Sequence, residues 1–185
     1  LPYFLSWAVL GGIFLDLFSA DGAVNNILNA VGISDVKWLE DGGAFVTMLV
    51  GTDVWKNFGY NTIVFLAALT GVDKNLYEAA EVDGANRWKQ TIHITLPAIL
   101  PMVILMGVLN LGSILNAGFD QIFMMINNLV RDDAEIIDTL VYDITFGSRQ
   151  YGIATALGLF KSLISGAFIV TGWFLAHKCS GYRVF

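Results

Sequence analysis

Residues 90–119 include no Lys, Arg, Asp or Glu. A soluble domain of this size has too much surface to leave a run of that length without charge. Within the run, residues 98–116 are long and apolar enough to cross a bilayer, which takes about 20 residues at about 1.5 Å rise each. Three further stretches qualify. Residues 1–18 hold one charge, Asp16; residues 43–70 hold Asp53 and Lys56; residues 151–176 hold Lys161 in their interior. None alternates apolar and polar residues at period two, so helices are expected and a barrel is not, because a spanning helix satisfies its own backbone. Asp53 and Lys56 lie three apart on one helical face and are expected to neutralise each other. The predicted fold class is an all-α, polytopic membrane helical bundle.

Composition agrees. Of 185 residues 56% are hydrophobic and 14% charged, against about 25% charged in soluble domains, and the mean hydropathy is +0.64. The net charge of −6 argues against nucleic acid as partner, since phosphate binding needs a basic face. One cysteine, Cys179, and two histidines, His93 and His177, exclude disulfide frameworks and zinc sites. His93 is expected to help its loop fold or to face a partner.

The connections are residues 19–42, 71–97 and 117–150, with 177–185 as the tail, and successive connections must alternate sides. Residues 71–97 carry Lys74, Arg87 and Lys89 and the tail carries Lys178 and Arg183, while the other two connections hold only Lys37, Arg131 and Arg149. The positive-inside rule places 71–97 and the tail in the cytoplasm. The acidity then lies outside, with a net −3 over 19–42 and −4 over 117–150. In 117–150, apolar residues recur at spacings near three and four, which predicts amphipathic helical pieces folded back onto the bundle.

Residues 76–97 predict a short helix, a break and a second short helix. Leu76 to Val82 are mostly good helix formers. Asp83-Gly84 permits positive φ and a sharp turn. Arg87 to Ile94 resume the helix, and Thr95 with Pro97 marks the start of the third span, with Pro101 in or near its first turn.

The order Glu78-Ala79-Ala80, three residues, Gly84, nine residues, Ile94-x-Leu96-Pro97 resembles the signature of the membrane-spanning permease subunits of bacterial binding-protein-dependent ABC importers. Asp83-Gly84-Ala85 with Trp88, and Trp55-Lys56 with Gly59, are similar to the carbohydrate (maltose-type) branch. Leu1-Pro2-Tyr3-Phe4-Leu5-Ser6-Trp7, Asp138-Thr139-Leu140-Val141-Tyr142 and residues 154–161 look like the subgroup that imports oligosaccharides derived from complex polysaccharides. The resemblance implies a type I ABC importer permease core with four spans of about six, so about two are expected to be missing ahead of Leu1. It implies that Glu78, Ala79, Ala80, Asp83, Gly84 and Ala85 form a coupling loop seated on a cytoplasmic ATPase dimer. It further implies a second homologous permease subunit, an extracellular solute-binding protein, an oligosaccharide substrate and a place in the bacterial plasma membrane. No G-x-x-x-x-G-K-[ST] loop occurs, so ATP and magnesium are expected on the partner ATPase and no cofactor on this chain.

Other residues keep two readings. Asn110, Asn116 and Gln121 can hydrogen-bond a carbohydrate in the substrate path, or hold helices together. Lys161 can meet a sugar hydroxyl, or pair structurally with Asp120 or Asp143. The tryptophans suit sugar stacking and an interfacial belt alike. Asp132, Asp133 and Glu135 are expected to help dock the solute-binding protein. An intramembrane hydrolase would need a nucleophile with its base, an Asp pair or His ligands, and the spans offer only Asp16 and Asp53 on separate helices. A permease for a non-sugar solute, a secondary transporter or a channel is the nearer alternative.

Overall fold

In a computed structural model the described residues are 2–180, with side chains through 175; Cys179 and the cationic tail lie outside the described side chains. Among the described residues the backbone is helical, without strands. The helices are α1 (Trp7–Leu17), α2 (Ala23–Ala30), α3 (Gly42–Thr70), α4 (Lys74–Val82), α5 (Arg87–Gln90), α6 (Leu96–Gly112), α7 (Phe119–Met125), α8 (Arg131–Ala134), α9 (Ile137–Tyr142) and α10 (Tyr151–Ser180). Short π-helical segments occupy Thr91–Thr95 and Asp143–Gly147. The chain divides into two compact units, one of residues 2–59 with 116–160 and one of residues 60–115 with 161–180.

The four expected spans each carry a helix, with different bounds. The first is shortened to the 11 residues of α1. The third does not begin at Pro97. Instead one helical run extends from Arg87 to Gly112, and the backbone widens to a π turn immediately before Pro97. Proline at 97 has no N–H for the carbonyl of His93 and its ring crowds that carbonyl, so loosening the preceding turn relieves both conflicts. The same run ends at Gly112 rather than 116. Arg87–Gly112 and Tyr151–Leu175 are long and apolar enough to cross a membrane, and only 6% of each apolar window is buried within the chain. A core helix of a soluble protein would be mostly covered. Helix α3 has 29 residues, about 43 Å of helix, but Thr47, Thr52, Asp53, Lys56, Asn57 and Asn61 dilute its apolar character.

The first unit is organised around Leu10, Phe14, Phe45, Met48, Leu49, Ile122, Met125, Val130 and Ala134, all buried. Helix α1 packs on α7, close enough that a side chain at Gly11 would lie 3.2 Å from Met124 Cβ. Of the apolar positions expected to face inward in 117–150, Ile122 is buried and Ile126 and Ile136 are half-buried. Phe119 and Phe123 stack at 5.2 Å, and Tyr142 meets Phe123 edge-on at 4.6 Å. The pieces do fold back as amphipathic helices.

Asn25 organises the segment between α1 and α3. It is 1% exposed; its Nδ2 donates to the carbonyls of Ala20 and Val36, and its Oδ1 accepts from the Val36 N–H and Trp38 Nε1, each at 3.1 or 3.2 Å. Asn25→Ala leaves these groups without partners at roughly 1–3 kcal/mol for a buried unpaired group. A loss of about 2 kcal/mol is expected, measurable as a lower melting temperature and faster tryptic cleavage at Lys37. Unchanged cleavage would show that the network does not hold the segment.

The second unit contains α4 to α6 and the later part of α10. Here α6 and α10 approach through small residues, as membrane helices do: a Cβ on Gly112 would lie 2.6 Å from Ile169 Cγ1, and one on Gly172 would lie 2.9 Å from Leu111 Cδ1.

Candidate functional site

Two regions carry the expected site residues. In the second unit, Asp73 caps α4 through its carboxylate, which accepts the N–H of Asn75 at 2.9 Å. The helix runs through Glu78, Ala79 and Ala80 and stops at Val82 with Asp83 as C-cap. Gly84 follows at φ +72°, the left-handed conformation its position was expected to take. Its N–H bonds the Glu81 carbonyl at 3.0 Å and the Ala85 N–H bonds the Ala80 carbonyl at 2.8 Å. Those two bonds are the paired pattern of a Schellman cap. Ala80, Asp83, Gly84 and Ala85 are therefore consecutive parts of one structural device, and Asn86 opens the next helix by accepting the Lys89 N–H at 3.0 Å.

Two bonds hold the two arms together. The Tyr77 hydroxyl lies 2.8 Å from Thr95 Oγ1, and Gln90 Nε2 donates to the Ala85 carbonyl at 3.1 Å. His93 Nδ1 sits 3.0 Å from the Lys89 carbonyl, a contact inside the loop. Glu78, Ala79, Glu81 and Asp83 are left exposed. So are two apolar side chains, Val82 at 89% and Trp88 at 76%. The sequence reading gave Val82 no contact role and Trp88 only the sugar-stacking and belt roles shared by the tryptophans; both are exposed on this loop.

The second region is in the first unit, where the earlier half of α3 and residues 116–136 line an open cavity of about 550 Å³. Asn116 and Gln121, both expected in the substrate path, line it together with Asp53, Asn57, Asp133 and Glu135. Asn116 is not on the third span, as expected, but in the turn before Gly118. Gln121 is 3% exposed and holds α7 to α3, its Nε2 donating at 2.8 Å to the Leu49 carbonyl and to Thr52 Oγ1. Of its two readings, these bonds carry the one in which it holds helices together. Asn110 and Lys161 fall in the other unit and do not line this cavity.

The expected pair of Asp53 with Lys56 needs correction. Asp53 and Lys56 do not pair: Asp53 Oδ1 accepts from Asn57 Nδ2 at 2.8 Å, while Lys56, 9% exposed, places its ammonium 4.5 Å from the centre of the Trp7 ring. A cation over an indole face is favourable where water is scarce, and Trp7 is distant in sequence. Asp143 is held by Arg131, which also bonds Glu135 at 3.2 Å. Arg131 is a local partner that the separation of 12 residues concealed. Among the described residues no cluster of His, Cys, Asp and Glu is arranged to hold a metal ion.

Comparison with known proteins bears on the whole chain. Protein LplB of Bacillus subtilis is 40% identical over 96% of this chain and 56% of its own length. The polygalacturonan/rhamnogalacturonan transport system permease protein YteP of the same organism is 34% identical over 96% of this chain and 56% of its own length. The diacetylchitobiose uptake system permease protein NgcF of Streptomyces coelicolor is 30% identical over 97% and 52%. The chain thus spans about half the length of the curated relatives it matches. Among solved structures, a chain of a bacterial alginate ABC transporter, in complex with an alginate pentasaccharide-bound periplasmic protein, superposes with a TM-score of 0.91. It is 32% identical, covering 96% of this chain and 62% of that one. YteP and NgcF are named as transport permeases rather than enzymes, and the all-helical fold described above matches that of the solved transporter chain. The model of the binding-protein-dependent transport system inner membrane component family matches residues 1–176, and the chain belongs to that family of membrane proteins.

Proposed function

We propose that this chain is part of a membrane-spanning subunit of an ATP-driven importer for sugars or oligosaccharides. On this reading it pairs with a second homologous permease subunit in the bacterial plasma membrane, is driven by a cytoplasmic ATPase dimer that carries the ATP and magnesium, and receives substrate from an extracellular solute-binding protein. The observation that carries the reading is the capped helix–turn–helix of residues 74–95. It presents Glu78, Ala79, Val82 and Trp88 outward between two helices that continue as apolar segments.

Physically such a loop suits coupling. A Schellman cap fixes the angle between two short helices, and the Tyr77 to Thr95 bond ties the first of them to the root of α6. A push on the exposed knob is then delivered to α6 as a rigid movement instead of being absorbed in the turn. The small side chains of Ala79 and Ala80 let a partner's backbone approach, while Val82 and Trp88 supply apolar area of the kind that anchors interfaces. The orientation follows from the cations of residues 71–97 and of the tail. On the opposite side, Arg131 is occupied by Glu135 and Asp143, leaving Asp132 and Asp133 exposed to meet a solute-binding protein.

The test is reconstitution of the full-length subunit with its ATPase and permease partners in vesicles. ATP-dependent uptake of oligosaccharide, lost in a Glu78→Lys variant that still inserts and assembles, is the expected result. Uptake that continues without the ATPase would indicate a secondary transporter or channel, and normal uptake by the variant would remove Glu78 from the coupling surface.

A further inference from the structure

We infer that Tyr77 and Thr95 form a strut that passes the movement of α4 directly to α6, around a soft joint in the backbone between them. This rests on the coupling reading of residues 74–95 and gives positioning roles to two side chains within it.

The joint follows from the backbone bonds. In an α-helix each N–H bonds the carbonyl four residues back, and those bonds make the helix a stiff rod. Between Thr91 and Pro101 the pattern fails three times. The Leu96 N–H bonds the Thr91 carbonyl, five residues back, so the turn before α6 is wider than the helix on either side of it. Pro97 has no N–H for the His93 carbonyl, and Pro101 has none for the Pro97 carbonyl. The two prolines are four apart, so both missing bonds fall on one face of the helical run. Prolines and π turns are the places where helices bend. Side chains bond some carbonyls on the loop side: Thr91 Oγ1 donates to the Arg87 carbonyl at 2.8 Å, and His93 Nδ1 lies 3.0 Å from the Lys89 carbonyl. Both contacts reach back toward α5 and neither crosses to α6; back-bonding of the threonine kind itself favours bending.

The contact between Tyr77 and Thr95 spans this weak stretch. Thr95 is the last residue of the π turn, adjoining the first residue of α6, and Tyr77 lies in α4 immediately before Glu78. Their hydroxyls are 2.8 Å apart across 18 positions of chain, and both residues are half-buried. Glu78 and Ala79 are exposed, so a partner pressing on them displaces the phenol on the same turn. A tyrosine ring turns about only two side-chain torsions, which makes it a stiff link. Gln90, bonded to the Ala85 carbonyl at 3.1 Å, braces the turn but ends before the joint. Among the described residues no other side-chain hydrogen bond ties α4 to the π turn or to α6. Movement of α4 therefore has two routes to α6, one along the backbone through the joint and one through a single hydrogen bond, and the second is the shorter and stiffer.

The experiment uses the full-length subunit reconstituted in vesicles with its ATPase, permease and solute-binding partners. Maltotriose, diacetylchitobiose and trigalacturonate are offered together as probes, and the quantity read is sugar imported per ATP hydrolysed. Tyr77→Phe keeps the ring and Thr95→Val keeps the shape, each removing one hydroxyl. Either is expected to lower the ratio by roughly 3- to 10-fold, the worth of one hydrogen bond. The double variant is expected to fall no further than the weaker single, because the bond is already broken. Thr95→Ser, which restores the hydroxyl, is expected to stay within about 2-fold of the unsubstituted complex. A ratio unmoved by both single variants, losses that multiply in the double variant, or uptake and hydrolysis falling in parallel as a merely structural role would give, overturns the strut. Each of these leaves the coupling reading standing if Glu78→Lys still loses uptake. No ATP-dependent uptake of any probe by the unsubstituted complex overturns the import reading and the strut together.

Discussion

A Gly84→Pro variant is expected to lose ATP-driven uptake by on the order of 100-fold while still inserting in the membrane. Gly84 sits at φ +72°, and proline fixes φ near −65° and removes an N–H. The lost N–H is the donor to the Glu81 carbonyl, so one half of the cap disappears and the other is misdirected. A penalty of about 3 kcal/mol or more corresponds to roughly two decades in the population of the competent loop, and apparent activity scales with that population. Gly84→Ala separates conformation from crowding. Nothing lies within 4 Å of a Cβ placed there, so alanine meets only the left-handed penalty of about 1–2 kcal/mol, and a loss of roughly 5- to 30-fold is expected. Uptake and substrate-stimulated ATP hydrolysis, measured on both variants in vesicles, should fall in that order. Equal losses for alanine and proline would mean that space, not backbone angle, governs the position, and full activity in the proline variant would remove the loop from coupling.

That loop is the part of the molecule most legible in the sequence, because its determinants are local. The helix formers of residues 74–82, the glycine after Asp83 and the capping side chains of Asp73 and Asn86 act within a few residues of themselves, so spacing alone predicts the turn. The apolar helices were legible for the same reason. What escaped was set by contacts distant along the chain. Lys56 reaches Trp7 rather than its neighbour Asp53, and Gln121 is aligned by Leu49 and Thr52 from another helix. Asn116 and Gln121 could be picked out by residue type, but the inward-turned donor of Gln121 is a property of the assembled walls. Asp53, Asn57 and Asp133 were missed as lining residues: Asp53 was read as one half of a pair with Lys56, Asp133 as a docking residue, and Asn57 reads as an ordinary helix polar residue. The π turn before Pro97 belongs between the two cases: the proline is visible in the sequence, while the choice to widen the helix rather than restart it depends on α6 continuing the same axis.

Gly22→Val is expected to destabilise the first unit by about 4 kcal/mol or more, and Gly12→Ala, a glycine replacement only ten positions earlier, is expected to stabilise it. Gly22 is buried at the N-cap of α2 with φ −72°, an angle any residue adopts, so its requirement is space. A Cβ there would run into the Leu17 carbonyl, with the carbonyl carbon at 2.7 Å and the Asp16 oxygen at 2.8 Å. Those atoms belong to the last turn of α1 and cannot rotate aside as a side chain would, so the α1–α2 corner itself must open. Opening it strains the Gly22 N–H bond to Ser19 and draws apart the carbonyls that Asn25 holds. Gly12 has nothing within 4 Å of its Cβ position and lies inside α1, where alanine is favoured over glycine by roughly 0.5–1 kcal/mol. Thermal melts of the detergent-purified complex should therefore move in opposite directions for the two variants, with tryptic cleavage at Lys37 accelerated only for Gly22→Val. A melting temperature lowered equally by both would show that α1 tolerates no added side chain on either face, and that the close approach of the α1–α2 corner is not what sets the stability of this unit.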